Sequence, residues 1–408
     1  MKLKSTRSAV AVALAAIGLC ASAGSSAQKI SDDVIRIGLI DDLSGLYADV
    51  GGSRGVEAIK MAIADTNKGM LFGKKIELVV ADHQNKADIG ASKAREWFDQ
   101  GGVDMLIGGS NSAVSLAMAK VAAEKHKPFI AIGAASARLT NEDCTPYTIH
   151  YAYDTVALAK GTGGALVDAG GKTWYFLTAD YAFGASLQND TSDVIKAHGG
   201  QVLGAVKHPL NASDFSSFLL QAQASKAQIL GLANAGGDTI NSIKAANEFG
   251  ITKTMKLAGL LMFISDVHTL GLDLTQGMYL TTGYYWDLND ETRAWSKRFF
   301  DATHREPTMV QAAYYSSARF FLQAVEAAKT DDADAVMAQM KKQHVHDFFA
   351  KDGYVRADGR MIHDMYLMQV KPKAESKYPW DYYKVVKTIP GEQAYTPLAE
   401  SKCSLVKK

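Results

Sequence analysis

The stretch from residue 108 to residue 112 reads Gly-Gly-Ser-Asn-Ser and follows an apolar run. It nearly matches the nucleophile elbow G-x-S-x-G, in which a serine on a tight strand-to-helix turn attacks a carbonyl carbon. The last position is Ser112 rather than glycine, and no histidine or acid is placed by the sequence to complete a catalytic triad. We therefore predict that the chain is not an enzyme. An exported hydrolase stays as the alternative of another class.

Two further glycine-containing stretches lack what nucleotide binding requires. Gly171-Lys172-Thr173 resembles the end of a phosphate-binding P-loop, but Leu166 stands where that motif needs its first glycine, and a strand-like segment follows. Residues 161–164 lack the third glycine of the dinucleotide fingerprint and lie in a helical pattern. We predict that the chain carries no cofactor.

His344 and His346 are two residues apart and are of a type that binds metal ions. Two histidines at the polar end of a predicted helix are more often solvated than bound to a metal. We therefore predict no metal site.

Turns that follow predicted strands are the best place to look for binding residues, because ligands of open α/β sheets lie beyond the carboxyl ends of the strands. The turns of the first half are small and hydroxylic. Serine hydroxyls and backbone N–H groups at a helix start suit a carboxylate, although plain helix capping is the alternative for either serine. The first-half candidates for ligand binding are Tyr47, Ser110, Asn111, Ser112, Ala134 and Ser136.

The corresponding turns of the second half are aromatic and apolar, which suits a ligand with a flat or hydrophobic body. A single aromatic residue in such a turn is compatible with a place in the core, but several on successive strand ends favour a binding role. The second-half candidates are Phe183, Asn234 and Trp286.

Strand-like and helix-like segments alternate along the chain. Continuous apolar runs such as 34–40 and 129–132 are separated by segments with helical spacing, and the same cadence restarts at Trp174. Continuous runs are typical of parallel sheets that are covered on both faces. This pattern predicts an α/β protein with two Rossmann-like lobes of mainly parallel sheet, joined at a hinge by strand-like crossings.

The chain has 408 residues, more than one hydrophobic core usually supports, and a net charge of +1 that gives no reason to expect nucleic acid as a partner. We predict a first lobe of residues 28–152 and 282–350. The second lobe takes residues 153–281 and 351–408, and ends in an irregular arm that begins near residue 371. The long helix predicted from Met309 to Lys329 should pack on the first lobe.

The N-terminus has the features of a secretory signal peptide. Three basic residues precede a short apolar run from Ala9 to Cys20, and small residues follow it. We predict cleavage after Ala27, with Ala23 as the alternative, and hence an exported, periplasmic protein. Cys20 suggests a lipid anchor, but Leu19 precedes it where a small residue is normal, so we favour soluble export.

Cys144 and Cys403 are the two cysteines left after cleavage. An even pair in an oxidising compartment favours a disulfide bond. Two unpaired thiols are the alternative.

The chain resembles the type I periplasmic binding proteins, specifically the leucine/isoleucine/valine-binding family of ABC transporter receptors. The resemblance runs over nearly the whole mature chain. It is carried by the order and spacing of four segments, which are IRIGLIDDLSGLYADVGGSRGVEAIKMAIADTN, DMLIGGSNSAVSLAMAKVAAEKHKPFIAIGAASARLT, FGASLQND and QAAYYSSARFFLQAVEAAK.

The resemblance implies roles for several residues. The loop matching Asn111 and Ser112 holds the ligand's carboxylate in that family, and the loop matching Ala134 and Ser136 holds the amino-acid head. The residue matching Asp154 lies near the hinge, and a usually aromatic residue matching Phe183 covers the pocket.

The chain departs from the family at the acidic residue that binds the ligand's ammonium group, since Leu261 or Met262 stands there. A buried ammonium needs a paired charge. We therefore predict a periplasmic receptor for an ABC transporter permease, a monomer, whose ligand is a carboxylate or amide with an apolar or aromatic body. An amino-acid receptor that uses Asp154 for the ammonium group is the alternative.

Overall fold

A computed structural model describes residues 30–407 of the chain. The predicted signal peptide, Cys20 and the predicted cleavage site lie outside the described residues. Within the described part of the chain, no helix is both long and apolar enough to cross a bilayer.

The first half of the chain forms a six-stranded sheet with helices packed on it. Its strands are β1 (Val34–Asp41), β2 (Met70–Leu71), β3 (Lys74–Asp82), β4 (Met105–Gly108), β5 (Phe129–Ala131) and β6 (Thr148–His150). They lie in the order β2-β3-β1-β4-β5-β6, and all neighbours are parallel except β2 and β3. The connecting helices are α1 (Gly52–Asp65), α2 (Ala87–Asp99) and α3 (Ser112–Glu124).

The second half repeats this arrangement with a four-stranded parallel sheet in the order β10-β9-β7-β8, whose strands are β7 (Thr173–Ala179), β8 (Gln201–His208), β9 (Ile229–Ala233) and β10 (Lys256–Gly259). Its helices are α4 (Thr155–Leu158), α5 (Gly164–Asp168), α6 (Ala182–Ala197), α7 (Ser216–Ala224), α8 (Gly237–Glu248), α9 (Ile264–Leu270) and α10 (Leu272–Thr275). A π-helical turn, Ala159–Gly163, joins α4 to α5.

The rest of the chain serves both halves. Its strands are β11 (Tyr279–Thr282), β12 (His344–Val345), β13 (Gly353–Val355), β14 (Met361–Ile362), β15 (Met365–Val370) and β16 (Tyr383–Ile389). Its helices are α11 (Asp290–Thr303), α12 (Met309–Ala328), α13 (Ala333–Lys342) and α14 (Gly391–Ala394). Short 3-10 helices occur at Asn67–Gly69, Ala137–Thr140, Ile251–Lys253 and Leu398–Glu400.

Burial explains the parallel sheets. Every residue of β4 and of β9 is buried, because helices cover both faces of each sheet. The prediction of an α/β fold with mainly parallel sheets is confirmed.

Helix α12 packs against α1, a helix of the first half of the chain. The ring of Tyr314 lies where a side chain on Gly55 would otherwise be, and the Tyr314 hydroxyl donates to Asp41 Oδ2 at 2.7 Å. Thr308, the N-cap of α12, donates to the carbonyl of Val50 at 2.7 Å.

Two features of the last third differ from the prediction. The predicted boundary at residue 350 falls between β12 and β13, which pair with each other, and β14 pairs with β13. Residues 353–362 therefore lie with elements assigned to the first lobe. The predicted irregular arm contains β16, which extends the antiparallel sheet β11-β15-β16. The sequence does not predict this strand because most of its residues, such as Val385 and Val386, are exposed and form no alternating apolar pattern.

The two halves meet where stretches of extended chain run side by side. His363 Nε2 lies 2.8 Å from the carbonyl oxygen of Ala152, and Gly283 packs so closely that a Cβ would lie 3.1 Å from the same oxygen. Arg360 is fully buried and donates to the carbonyls of Tyr151 and Tyr153 at 2.6 and 2.9 Å. These contacts hold together the chain segments that connect the two halves.

The end of the chain returns to the first half. Cys403 forms a disulfide bond with Cys144, across a sequence separation of 259 residues. Lys402 N also donates to Asn141 Oδ1 at 3.2 Å, which holds the same segment in place.

Candidate functional site

A narrow cavity lies between the two parallel sheets, at the carboxyl ends of their strands. Both lobes contribute to its wall. The lining residues are Tyr47, Val50, Ser110, Ser112, Gly133, Ala135, Tyr153, Tyr181, Phe183, Ala235, Leu261 and Phe263.

Ser112 is the first residue of α3 and presents its hydroxyl to the cavity. The Ser112 oxygen accepts hydrogen bonds from the backbone N–H groups of Ala135 and Ser136, both at 3.2 Å. With two N–H groups on the oxygen, the hydroxyl proton is left to be donated elsewhere. The hydroxyl is therefore available as a donor to a ligand in the cavity.

Ser110 supplies a second hydroxyl. Its oxygen is buried and has no hydrogen-bond partner among the described residues, although its backbone N–H donates to Asp41 Oδ1 at 2.8 Å. A buried polar group without a partner costs about 1–3 kcal/mol, so such a group in a cavity wall is suited to a polar ligand atom. Ser110 and Ser112 both stand at the N-terminus of a 13-residue helix, which favours a negative charge there.

Tyr47 and Tyr181 meet across the cavity. Their hydroxyl oxygens are 2.6 Å apart, one from each lobe. Burial raises the pKa of both phenols above the ordinary value, so both stay protonated at neutral pH. Because one hydroxyl donates to the other, one phenolic proton remains free for a further acceptor.

The rest of the wall is mostly aromatic and aliphatic. Tyr153 and Phe263 meet edge to face with ring centroids 6.4 Å apart, and Tyr181 and Phe183 lie 5.9 Å apart. The Tyr153 hydroxyl donates to the carbonyl of Gly133 at 2.6 Å, so its proton is not available to a ligand. This surface suits a flat, apolar ligand body.

No carboxylate and no cationic side chain lines the cavity among the residues described. Two buried carboxylates lie behind the wall and bind the loops that form it. Asp41 accepts from Ser110 N and from Tyr314, and Asp42 accepts from Tyr47 N at 2.8 Å and from Asn85 Nδ2 at 2.6 Å. Their oxygens are used to hold the protein rather than offered to a ligand.

Four of the sequence-predicted binding residues line the cavity, namely Tyr47, Ser110, Ser112 and Phe183. Asn111 instead caps α3. Its Oδ1 accepts hydrogen bonds from the backbone N–H groups of Ala113 and Val114, at 2.9 and 3.2 Å. Ser136 lies beside the cavity, where its hydroxyl bonds to that of Ser186 on α6 at 2.7 Å and so joins the two lobes.

Besides Asn111 and Ser136, four more predicted residues do not line the cavity. Ala134 is buried, and its carbonyl oxygen lies 2.7 Å from His150 Nε2. Asn234 bonds to Thr239 and His208 inside the second lobe. Trp286 packs beside the C-terminal segment and donates to the carbonyl of Trp380 at 3.0 Å.

Asp154 is the fourth, and its place bears on the amino-acid alternative. It is buried, caps α4 by accepting from Ala157 N at 2.9 Å, and lies 3.8 Å from Arg360 Nη1. Burial raises its pKa and the nearby Arg360 opposes that change. Its charge is thus already matched by Arg360, away from the cavity.

The sequence-based candidates omitted eight of the lining residues. Tyr181, Ala235, Leu261 and Phe263 stand in turns after second-half strands, so the strand-end rule already contained the signal for them. Tyr153 follows β6 in the same way. Val50 is different, because it lies nine residues beyond β1 and reaches the cavity through the fold of a long loop that Thr308 holds.

A family model for periplasmic binding proteins matches residues 34–376. The chain belongs to the periplasmic binding protein family. The prediction of this family is confirmed, and with it the prediction of a solute-binding receptor of ABC transporters. The members of this family to which the chain is similar are solute-binding proteins rather than enzymes.

Solved structures agree with this assignment. The chain is similar to a periplasmic binding protein from Burkholderia mallei, with 65% identity, 92% of this chain and 100% of that chain covered, and a TM-score of 0.91. It is also similar to a branched chain amino acid ABC transporter periplasmic ligand-binding protein from Burkholderia xenovorans, with 38% identity, coverage of 91% and 100%, and a TM-score of 0.81.

A more distant binding protein shares the fold. The solute-binding protein of an ABC transporter from R. palustris, solved in complex with 4-hydroxybenzoate, is 21% identical, with coverage of 92% and 100% and a TM-score of 0.79. The periplasmic binding proteins of known structure that share this fold thus include a receptor of an aromatic carboxylate.

Proposed function

We propose that this periplasmic binding protein captures a small aromatic carboxylate between its lobes and presents it to the permease of an ABC transporter. The observation that carries the proposal is the composition of the cavity wall. Hydroxyl donors lie at one helix N-terminus, aromatic rings form much of the remaining wall, and no side-chain carboxylate among the described residues lines it.

The polar groups support a carboxylate as the ligand's head. Ser112 offers a proton, Ser110 has a hydroxyl without a partner in the described part of the chain, and the positive end of α3 favours an anion at the same place. Hydrogen bonds to a charged group are stronger than those between neutral groups, which favours the carboxylate over an amide.

The apolar groups support an aromatic body. Tyr153, Phe183 and Phe263 present ring surface. Leu261, one of the two residues that stand where the family resemblance implies an acidic residue, also lines the wall. An ammonium group buried here would have no paired charge. The R. palustris protein that binds 4-hydroxybenzoate supports the same ligand class.

The experiment is a calorimetric titration with a matched set of ligands. The mature protein is freed of bound ligand by unfolding and refolding with its disulfide intact. Benzoate and 4-hydroxybenzoate should bind, and benzamide, which has the same shape without the charge, should bind at least about tenfold more weakly. L-Leucine and L-phenylalanine test the amino-acid alternative, and tighter binding of either than of every aromatic acid would contradict the proposal.

Phe183→Ala tests, in the same titration, whether the apolar part of the ligand packs against this ring. Phe183 is almost fully buried in the wall, so its loss should weaken the binding of benzoate through lost apolar contact. Phe249→Ala is the control, because Phe249 is 51% exposed on the second lobe and does not line the cavity.

We further propose that the exported protein is a monomer and that the signal peptide is cleaved after Ala27. Mass spectrometry of the secreted protein should give a mature chain that begins at Gln28. A chain that begins at Gly24 would place cleavage after Ala23 instead, and sedimentation analysis checks the oligomeric state.

A further inference from the structure

The sequence places His344 and His346 close together, and the structure puts His344 on a short β-strand just after the end of α13, with His346 directly following that strand. His344 begins β12, and β12 pairs with β13 in an antiparallel register in which His344 faces Tyr354. The same register carried two residues further brings Asp352 opposite His346. Residues two apart on a strand share one side, and so do residues directly opposite each other.

The three side chains accordingly converge. His344 Nδ1 lies 2.6 Å from Asp352 Oδ1, and His346 Nε2 lies 3.9 Å from the same oxygen. One ligand atom from each residue lies within 4.8 Å of the others. Ligand atoms of a tetrahedral zinc site are about 3.4 Å from one another, so small side-chain rotations suffice to reach that spacing.

A second contact orients one of the imidazoles. His346 Nδ1 lies 2.7 Å from the carbonyl oxygen of Lys351, so Nδ1 donates to that carbonyl, and in the neutral imidazole Nε2 is the nitrogen available to a metal ion. A metal-binding histidine typically has this support, in which its other ring nitrogen donates to a carbonyl or carboxylate. The lone pair of Nε2 then points to the side where Asp352 and His344 lie.

We propose that His344, His346 and Asp352 bind a divalent transition-metal ion of the zinc type. Imidazole and carboxylate are ligands that Zn²⁺ accepts, and two imidazoles disfavour Mg²⁺ and Ca²⁺, which prefer oxygen. The side chains are 45%, 66% and 70% exposed, so the remaining coordination positions face solvent and are open to water.

The proposal is independent of the aromatic-carboxylate function. None of the three residues lines the cavity between the lobes. The metal would bridge β12 and the start of β13, and so would stabilise this hairpin in the folded state. Metal that binds the folded state alone raises the midpoint of thermal unfolding.

The molecule contains a matched control. His198 Nδ1 lies 2.8 Å from Asp168 Oδ1, and both side chains are exposed, as in the His344–Asp352 pair. This pair is not part of any cluster of three metal-ligating side chains in the described part of the chain. His198→Ala therefore removes an exposed histidine–carboxylate pair without removing the proposed site.

The test is a titration of the tag-free, metal-stripped mature protein with Zn²⁺. We expect one saturable zinc site in the unmodified protein and in His198→Ala. His344→Ala and His346→Ala should each weaken zinc binding at least about tenfold, and Asp352→Asn should weaken it in the same direction. Zinc should raise the thermal midpoint of the unmodified protein but not that of His346→Ala, while benzoate binding stays unchanged in all variants.

Three outcomes would overturn the proposal. The first is no saturable zinc binding by the unmodified protein. The second is equal zinc affinity in His344→Ala, His346→Ala and the unmodified protein. The third is binding of Ca²⁺ as tight as that of Zn²⁺, which would show that carboxylates rather than imidazoles hold the ion. Because the three side chains are exposed, a loss of folding is not the expected effect of these substitutions.

Discussion

Ser112 is the side chain whose chemistry decides what the cavity can hold. Its hydroxyl is fixed as a donor, since two backbone N–H groups occupy its oxygen. Ser112→Ala should weaken the binding of benzoate about ten- to hundredfold, because a hydrogen bond to a charged group contributes about 1.5–3 kcal/mol. Calorimetric titration measures this loss, and Ser217→Ala, an exposed serine on α7, is the control.

The binding of benzamide separates this role from simple support of the loop. If the Ser112 hydroxyl meets a carboxylate, its removal should reduce benzoate affinity more than benzamide affinity. An equal loss for both ligands would show that Ser112 acts only by holding Ala135 and Ser136 in place.

The sequence could predict which turns form the site but not which side chains of each turn face the cavity. Ser110, Asn111 and Ser112 are consecutive, and all three are plausible from residue type alone. The start of α3 separates them, because Asn111 takes the N-cap position and turns its side chain onto the helix. Trp286 lies outside the cavity wall, since a strand-end aromatic is equally suited to packing against a C-terminal segment whose course the sequence does not reveal.

Hydrogen bonds between loops of opposite lobes hold the closed arrangement of the cavity. Tyr47 and Tyr181 form one of these bonds. Tyr181→Phe should weaken ligand binding about two- to tenfold, because it removes one bond of the closed form worth about 0.5–1.5 kcal/mol. Tyr175→Phe, on the strand that leads to Tyr181 but outside the cavity, should leave binding unchanged.

A double variant tests whether the two phenols act as a pair. If their mutual bond is what matters, Tyr47→Phe combined with Tyr181→Phe should bind about as well as either single variant. Losses that add in full would mean that each hydroxyl contacts the ligand separately.

The start of α9 contains an acid whose pKa is raised to about 7 by burial, Asp266. Its unfolded-state pKa is near the ordinary value of about 3.9, so the folded state holds the proton more tightly. The resulting stabilisation is complete below pH 4 and is lost as the pH rises through 7. Asp266→Asn does not titrate and keeps an oxygen that can accept from Phe263 N, as Asp266 Oδ2 does at 2.9 Å.

The free energy of unfolding of Asp266→Asn, relative to that of the unmodified protein, should therefore increase between pH 4 and pH 8. The change should be a few kcal/mol, at about 1.4 kcal/mol for each pH unit between the two pKa values. Urea unfolding at several pH values measures it. Asp273→Asn, which alters an exposed acid on α10, should show no such trend, and a flat difference for Asp266→Asn would refute the assignment.

Periodicity predicted the elements that are long and buried and missed those that are short or exposed. Strands such as β4 and β9 are continuous apolar runs, and the alternation of such runs with helical segments predicts two parallel sheets. Strand β12 has only two residues, and β16 is exposed along most of its length. Neither strand shows an apolar pattern in the sequence, because each forms by pairing with a neighbouring strand rather than by burying its side chains in a core. For the same reason the sequence does not reveal that His344 begins a strand.

The disulfide bond ties the last residues of the molecule to its first lobe. Thiol titration of the unfolded, unreduced mature protein should find almost no free sulfhydryl, whereas two free thiols would contradict the bond. Reduction should lower the free energy of unfolding by about 2–4 kcal/mol, because a closed loop restricts the unfolded chain. Cys144→Ser combined with Cys403→Ser should reproduce the effect of reduction and be insensitive to it.

The path of the chain between the lobes also affects the order in which the protein folds during export. A protein exported N-terminus first presents β1 to β6 early, yet α12 reaches the first lobe only after the whole second sheet has crossed, and Cys403 only when nearly all 408 residues have crossed. Contacts between residues so distant in sequence form slowly. Throughout this interval Cys144 is an unprotected thiol in an oxidising compartment, and any other exported cysteine competes for it. Export that stalls before the tail emerges should therefore produce mixed disulfides at residue 144 rather than a half-folded receptor.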